Sequence, residues 1–256
     1  HSNSEYISDF FKDNIMINTN VLDASRRFGI KKVVSLLSTC VYPDDAKYPL
    51  TPEQFNDGPP HPSNFGYAYA KRMVDVYSRA LRQQYGCNFM CIIPTNIYGP
   101  HDNFNLTDSH VIPGLIHKCY LAKEKGEKFV VRGTGKPLRQ FIYSQDLAKL
   151  IMWVTSDYHS LEPIILSVDA HNEISIKDLA SLIQSIVGKE SKITESEERL
   201  RPDKSEVDRL LCDNSKICEL TSWKPEIDLK SGLDNVFKWM QSIDLNQIYK
   251  ADRYNV

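Results

Sequence analysis

No apolar run in this sequence is long enough to cross a membrane; the longest are strand-sized. No surplus of positive charge is present either. The formal net charge is -2, which removes the electrostatic footprint of a nucleic-acid binder. The six cysteines, Cys40, Cys87, Cys91, Cys119, Cys212 and Cys218, form no C-x-x-C pair. None makes a zinc-finger spacing with the seven histidines, so no metal site is expected. The same pattern offers no disulfide framework and suits a reduced, cytoplasmic setting. No secretory leader opens the chain, and no repeat or low-complexity tract interrupts it.

The most telling absence concerns glycine. A dinucleotide domain normally opens with a strand and a glycine-rich turn. Its bare backbone approaches the pyrophosphate at the N-terminus of the next helix. Here the G-x-G is Gly133-Thr134-Gly135, with Leu138 where a third glycine would fall, and Lys136-Pro137 comes next instead of a helix. The chain also begins with a helix-like segment, an unusual start for a parallel sheet. The expectation is a dinucleotide domain that lacks its opening segment.

What is present alternates between helix and strand. Tyr6, Phe10, Ile15, Ile17, Val21, Leu22 and Phe28 recur at roughly helical spacing over residues 5-28, and Gly29 suits the stop. Val33 to Leu37 reads as a short buried parallel strand. A loop rich in proline, with Pro43, Pro49, Pro52, Pro59, Pro60 and Pro62, leads to Ser63 or Asn64 as a helix cap. The helix then runs over 64-84 and stops at Gly86. Asn88 to Ile93 is the next buried strand, broken by Pro94. Further on, the pattern predicts helices over 109-125, 146-157, 175-187 and 231-242, and strands over 128-132, 140-143 and 163-168. This order is that of an α/β fold with a parallel sheet.

Tyr67 and Lys71 lie four residues apart on one face of the 64-84 helix. An ammonium about 4 Å from a phenol favours the phenolate by roughly 4 kcal/mol at an effective dielectric of about 20. The expectation is a lowered Tyr67 pKa, in general acid-base range. Alone, such a pair is most often a surface contact. Ser38-Thr39-Cys40 gives it context, because it comes directly after a strand at the carboxyl end, where open α/β sheets bind ligands. A serine there can hydrogen-bond a carbonyl and its developing oxyanion, or simply satisfy local backbone. Pro94-Thr95-Asn96-Ile97 stands at the next strand end in the same way.

The runs Ser38 to Asp44, Asn64 to Arg72, Pro94 to Asn105, His110 to Lys118 and Gly133 to Tyr143 closely resemble the GDP-L-fucose synthases. These belong to the extended short-chain dehydrogenase/reductase type, and the likeness covers about residues 5-190. It implies a doubly wound parallel Rossmann-type sheet, N-terminally incomplete, with a smaller C-terminal substrate lobe. Residues 1-105 and 139-170 would be the remaining NADP-binding domain, and 106-138 with 171-256 the lobe. The family protein is longer at its N-terminus by something under a hundred residues.

The resemblance also implies roles. Ser38, Tyr67 and Lys71 match a reductase triad. Cys40 and His110 match an acid-base pair that epimerises C3 and C5 of GDP-4-keto-6-deoxy-mannose, after which NADPH reduces C4. Pro94, Thr95, Asn96 and Ile97 match a loop along the nicotinamide, with Lys71 and His110 also near the cofactor. Lys118, Arg139 and Asp203 match positions holding the GDP-sugar. Arg132 stands where the family commonly has a tryptophan near the guanine or sugar, and a guanidinium there can stack or bind phosphate. The helices over 5-28 and 64-84 would form a homodimer interface.

Two other readings stay open. One is a nucleotide-sugar 4,6-dehydratase or 4-epimerase. It is disfavoured because Thr39-Cys40 stands where a dehydratase carries threonine and a carboxylate. The other is a catalytically incompetent fragment or interaction subunit, which the absent glycine loop supports.

Overall fold

A computed structural model of the chain describes residues 6-188, 194-196 and 208-245. In chain order the helices are α1 (Ile7–Arg27), α2 (Phe65–Tyr85), α3 (Val111–Glu124), α4 (Ser144–Ser156), α5 (Ile176–Val187), α6 (Ser215–Thr221) and α7 (Leu229–Ser242). The strands are β1 (Val33–Leu36), β2 (Phe89–Pro94), β3 (Asn96–Tyr98), β4 (Val130–Arg132), β5 (Leu138–Arg139), β6 (Phe141–Tyr143), β7 (Ile164–Leu166), β8 (Ile174–Ser175), β9 (Thr194–Ser196) and β10 (Arg209–Leu210).

The chain clusters into two compact units. The first takes in the described parts of 1-97, 138-173 and 201-225; the second takes in those of 98-137, 174-200 and 226-256. Arg209 to Pro225 therefore pack with the first unit, whereas the resemblance implied a place in the smaller lobe. Asp203 lies outside the described residues.

The first unit is built on a parallel sheet in the order β1-β2-β7. Every residue of β2 is buried, and its side chains alternate between two layers. Phe89, Cys91 and Ile93 face a cluster containing Leu22 of α1 and Val74 and Leu81 of α2. Met90 and Ile92 face Leu147, Leu150 and Val154 of α4 and Ile217 of α6. Helices on both faces of a parallel sheet make the arrangement doubly wound. Full burial of each large apolar side chain on β2 contributes about 1.5–3 kcal/mol.

Two strand expectations change. Val33 to Leu37 reads as a buried strand, but among the described residues β1 is the edge of this sheet. Its first three residues are half-buried and Leu36 is 39% exposed. Pro94 does not break β2. It is the last strand residue and pairs with Leu166. A proline tolerated at the end of a strand is hard to tell from a strand breaker by sequence.

Helix α2 carries Tyr67 and Lys71, and both of its ends are fixed by glycine. Gly86 stops it in the left-handed conformation at φ 68°, and its N–H reaches the Arg82 carbonyl at 3.0 Å. At its other end Gly66 lets α1 approach closely. A Cβ there would sit 2.9 Å from Ile7 Cγ2 and 3.0 Å from the Ile7 carbonyl oxygen. Lys32, just ahead of β1, donates to the carbonyls of Val154 and Tyr158, placing a cation at the C-terminal end of α4.

In the second unit, α3, α5 and α7 pack on one another around Ile112, Ile116, Leu179, Ile183, Val236 and Met240. Strand β4 pairs in parallel with β9. Among the described residues no helix is long and apolar enough to cross a membrane.

Candidate active site

The candidate residues of the first unit gather at the carboxyl ends of β1 and β2. After Leu36 the chain turns inward: the Leu37 N–H donates to the Ile92 carbonyl at 2.8 Å. Ser38 is extended (φ -150°, ψ 154°) and caps a short 3-10 turn over Thr39–Val41. Its hydroxyl oxygen accepts from the Cys40 N–H at 3.4 Å, so the local-backbone role is real. That bond is long and uses only an acceptor lone pair, so the hydroxyl proton stays available.

Tyr67 and Lys71 face this turn from α2. The Lys71 ammonium donates to the Leu36 carbonyl at 3.1 Å and lies 5.8 Å from the centre of the Tyr67 ring. The expected lowering of the Tyr67 pKa does not occur. Burial, and then proximity to Cys40, push the phenol up to about 12. The ammonium sits over the ring face, beside a backbone carbonyl rather than beside the hydroxyl, so it does not offset the lost hydration. Burial also lowers the Lys71 pKa, against an opposing pull from Cys40. Cys40 itself keeps some exposure, yet crowding pushes its thiol up to about 11. Ser38, Lys71 and Arg72 all pull in the other direction.

The loop after β2 is anchored from below. Thr95 Oγ1 and Asn96 Nδ2 both donate to the Gln140 carbonyl, at 3.2 and 2.8 Å. Gln140 is fully buried. Its Nε2 donates to the carbonyls of Val168 (2.7 Å) and Asp169 (3.2 Å). Its Oε1 accepts from the Cys212 N–H (2.8 Å) and the Ser167 hydroxyl (3.2 Å). Sequence reasoning missed this hub. Its one trace is a polar residue directly before the apolar run Phe141-Ile142-Tyr143. Thr95 and Pro94 are buried, while Ile97 is 39% exposed at the strand end. Arg139 is half-buried, with Nη1 donating to the Leu138 carbonyl at 2.8 Å.

In the second unit His110 occupies the N-cap position of α3 but does not cap with its side chain. That side chain is 83% exposed, and its Nδ1 lies 3.7 Å from Asp102 Oδ1. Asp102 holds the imidazole pKa above its usual value. At 3.7 Å the contact is an ion pair when His110 is protonated rather than a short hydrogen bond. The carboxylate is fixed by a chain of turns. Asp102 Oδ1 accepts from the Asn103 N–H, Asn103 Oδ1 from Asn105, and Asn105 Oδ1 from Thr107. Next to it, His101 adopts φ 69° and stacks on Trp239 with centroids 4.6 Å apart. Lys118 of α3 is half-buried, and its pKa is lowered by burial and by the Arg132 charge. Neither Lys118 nor Arg132 forms an ion pair among the described residues. Two cations close enough to repel each other suit an anionic ligand.

The residues present fit the nicotinamide end of a dinucleotide. Lys71 uses one donor on Leu36, and an ammonium has three. Apolar Leu36 and Ile97 are exposed at the ends of β1 and after β2. Gly133 (φ 84°) and Gly135 (φ 67°) form a bend between β4 and β5 and not a phosphate turn before a helix.

Known proteins share both the sequence and the fold. The profile of the NAD dependent epimerase/dehydratase family matches residues 1–168. The GDP-L-fucose synthase of Dictyostelium discoideum is 57% identical over 182 residues, which is 71% of this chain and 57% of that protein. A probable GDP-L-fucose synthase of Drosophila melanogaster is 42% identical over 241 residues, 90% of this chain and 73% of that one. The crystal structure of a GDP-L-fucose synthetase from Naegleria fowleri bound to NADP superposes with a TM-score of 0.86 at 39% identity. It covers 93% of this chain and 74% of its own.

Proposed function

This chain belongs to the NAD dependent epimerase/dehydratase family, and on that premise we propose that it epimerises C3 and C5 of GDP-4-keto-6-deoxy-mannose and reduces C4, giving GDP-L-fucose. The observation that carries the reading is the placement of Cys40. A thiol stands one turn past a strand end, electrostatically coupled to Tyr67 and Lys71, where a dehydratase would need a carboxylate.

The chemistry is dictated by the substrate. The 4-keto group acidifies the protons at C3 and C5, because the carbanion left behind is an enolate. Cys40 and His110 act as the acid-base pair: one removes the proton and the other delivers one to the opposite face. Ser38 hydrogen-bonds the 4-keto oxygen and its developing negative charge. Tyr67 donates the proton that the C4 oxygen needs on reduction. A phenol held up to about 12 is protonated at neutral pH and remains a donor. NADPH supplies the hydride for C4 when bound. Lys71 would hold its ribose hydroxyl, and Pro94, Thr95, Asn96 and Ile97 the nicotinamide, with His110 nearby. On this reading Lys118 and Arg139 bind the substrate through its phosphates, Asp203 binds it further along the chain, and Arg132 stacks near the guanine or sugar or binds phosphate.

The first unit serves as the cofactor domain on this reading, and the second unit as the substrate lobe. The exposed stripe Phe65, Tyr69, Met73 and Val76 on α2, beside exposed Met16, Ile17 and Val21 on α1, serves as a homodimer face. All six cysteines are thiols outside any disulfide, which suits the cytoplasm.

Incubating the protein with the 4-keto sugar nucleotide in D2O, without NADPH, separates the two activities. The reading predicts deuterium at C3 and C5 by NMR, followed by oxidation of NADPH at 340 nm once it is added. Reduction without any deuterium at either carbon would favour a plain 4-reductase.

A further inference from the structure

Arg72 is the neighbour of Lys71 on α2, yet it points inward and is only 5% exposed. Its Nε donates to the Val41 carbonyl at 2.7 Å, immediately after Cys40. Its Cζ lies 5.4 Å from the Tyr69 ring centre. Its Nη2 is buried without a hydrogen-bond partner, and the guanidinium makes no ion pair among the described residues. A buried charge normally carries a counter-charge, because an unpaired one costs several kcal/mol of hydration. The neighbouring groups that can become negative are the Tyr69 phenol and the Cys40 thiol, and a thiol is ordinarily the more acidic of the two.

We propose that Arg72 is a positioning residue for Cys40, holding the thiol's turn through the Val41 carbonyl and supplying the counter-charge for a Cys40 thiolate. Deprotonating the thiol beside Arg72 completes a buried pair instead of creating a second lone charge. The groups facing Cys40 are Ser38 on its own segment and Tyr67, Lys71 and Arg72 on α2. Of these, Lys71 is engaged with Leu36. Arg72 is bonded to the turn that carries Cys40, so its charge stays fixed there. Burial lowers the Arg72 pKa, with Tyr69 and then Cys40 pulling it back up; burial raises that of Cys40, with Ser38, Lys71 and Arg72 among the groups pulling it down. The importance of a Cys40 thiolate rests on the function proposed above; the pairing itself does not.

The test is the pH profile of Cys40 alkylation by iodoacetamide, read peptide by peptide by mass spectrometry, with no substrate present. Half-exposed Cys87 and Cys218 serve as internal references. In Arg72→Met the Cys40 profile should move to higher pH by about one unit, a roughly tenfold slower reaction at pH 8. The two reference cysteines should not move. Arg72→Gln keeps a donor for Val41 but no charge and should give the same shift; it also serves if the Met variant fails to fold. Arg72→Lys should recover part of the wild-type profile. An unchanged Cys40 profile in a folded Gln or Met variant overturns the pairing. Absence of turnover in the wild type, with the Arg72-dependent profile intact, would instead overturn the functional reading and leave the pairing standing.

Discussion

Lys71 sits 5.8 Å from the centre of the Tyr67 ring with its ammonium on the Leu36 carbonyl at 3.1 Å. Two side chains one helical turn apart on α2 are thereby tied to the end of β1. The tie leaves the phenol buried and protonated rather than activated as an anion.

Tyr67→Phe removes the proposed proton donor and leaves Cys40 and His110 in place. C4 reduction should fall by at least about 100-fold, the usual scale of general acid catalysis, while C3 and C5 exchange persists. Parallel rates of NADPH oxidation and deuterium wash-in measure both. Equal loss of the two would contradict separate roles.

The Tyr67 pKa also has a stability consequence. Its folded value lies above the unfolded value of about 10, so the protonated group favours the folded state. That contribution is complete below about pH 10 and is lost as pH rises through about 12. The difference in melting temperature between wild type and Tyr67→Phe should therefore be flat up to pH 9. It should change in sense against the wild type above pH 10.

Gln140→Leu leaves the Asp169 carbonyl and the Cys212 amide without their partner, while the Val168 carbonyl and the Ser167 hydroxyl keep only their mutual bond at 3.2 Å. Each unsatisfied buried group costs about 1–3 kcal/mol, with relaxation recovering part. Urea unfolding should show a loss of about 2–5 kcal/mol. The hub shows where sequence reasoning stops. Helix α2 and strand β2 are legible because their signals are local: apolar periodicity, a cap and a stop glycine. Ser38, Tyr67 and Lys71 are legible because a strand end and a helical repeat place them. Gln140 acts on Val168, Asp169 and Cys212, far away in sequence, and no local pattern encodes that. Arg72 is hidden for the same reason, since a charge next to Lys71 reads as surface. The edge position of β1 depends on which strands pair, and that is also non-local.

Asp102→Asn should lower the His110 pKa towards 6.5, because the carboxylate is what raises it. A raised histidine stabilises the fold fully below about pH 6.5 and loses that contribution as pH rises through its folded value. The wild-type advantage in melting temperature should thus be largest below about pH 6.5 and fall away as pH rises through the folded His110 value. The imidazole Cε1 proton resonance gives the pKa directly. A His110 titration curve unchanged by Asp102→Asn would remove Asp102 from the account.

Met73→Glu with Val76→Glu puts two charges into the exposed apolar stripe of α2. Light scattering after gel filtration should give a dimer for the wild type and a monomer for the variant, with an unchanged circular dichroism spectrum. A wild-type monomer would remove the proposed interface.

The central claim is that Cys40 moves protons at C3 and C5, and Cys40→Ser in D2O tests it most directly. NMR of the recovered sugar nucleotide should show deuterium incorporation at both carbons slowed by at least about 100-fold, with melting temperature nearly unchanged. Wild-type incorporation in that variant, or a collapse in stability that accounts for the loss, would return Cys40 to the role of a buried structural thiol.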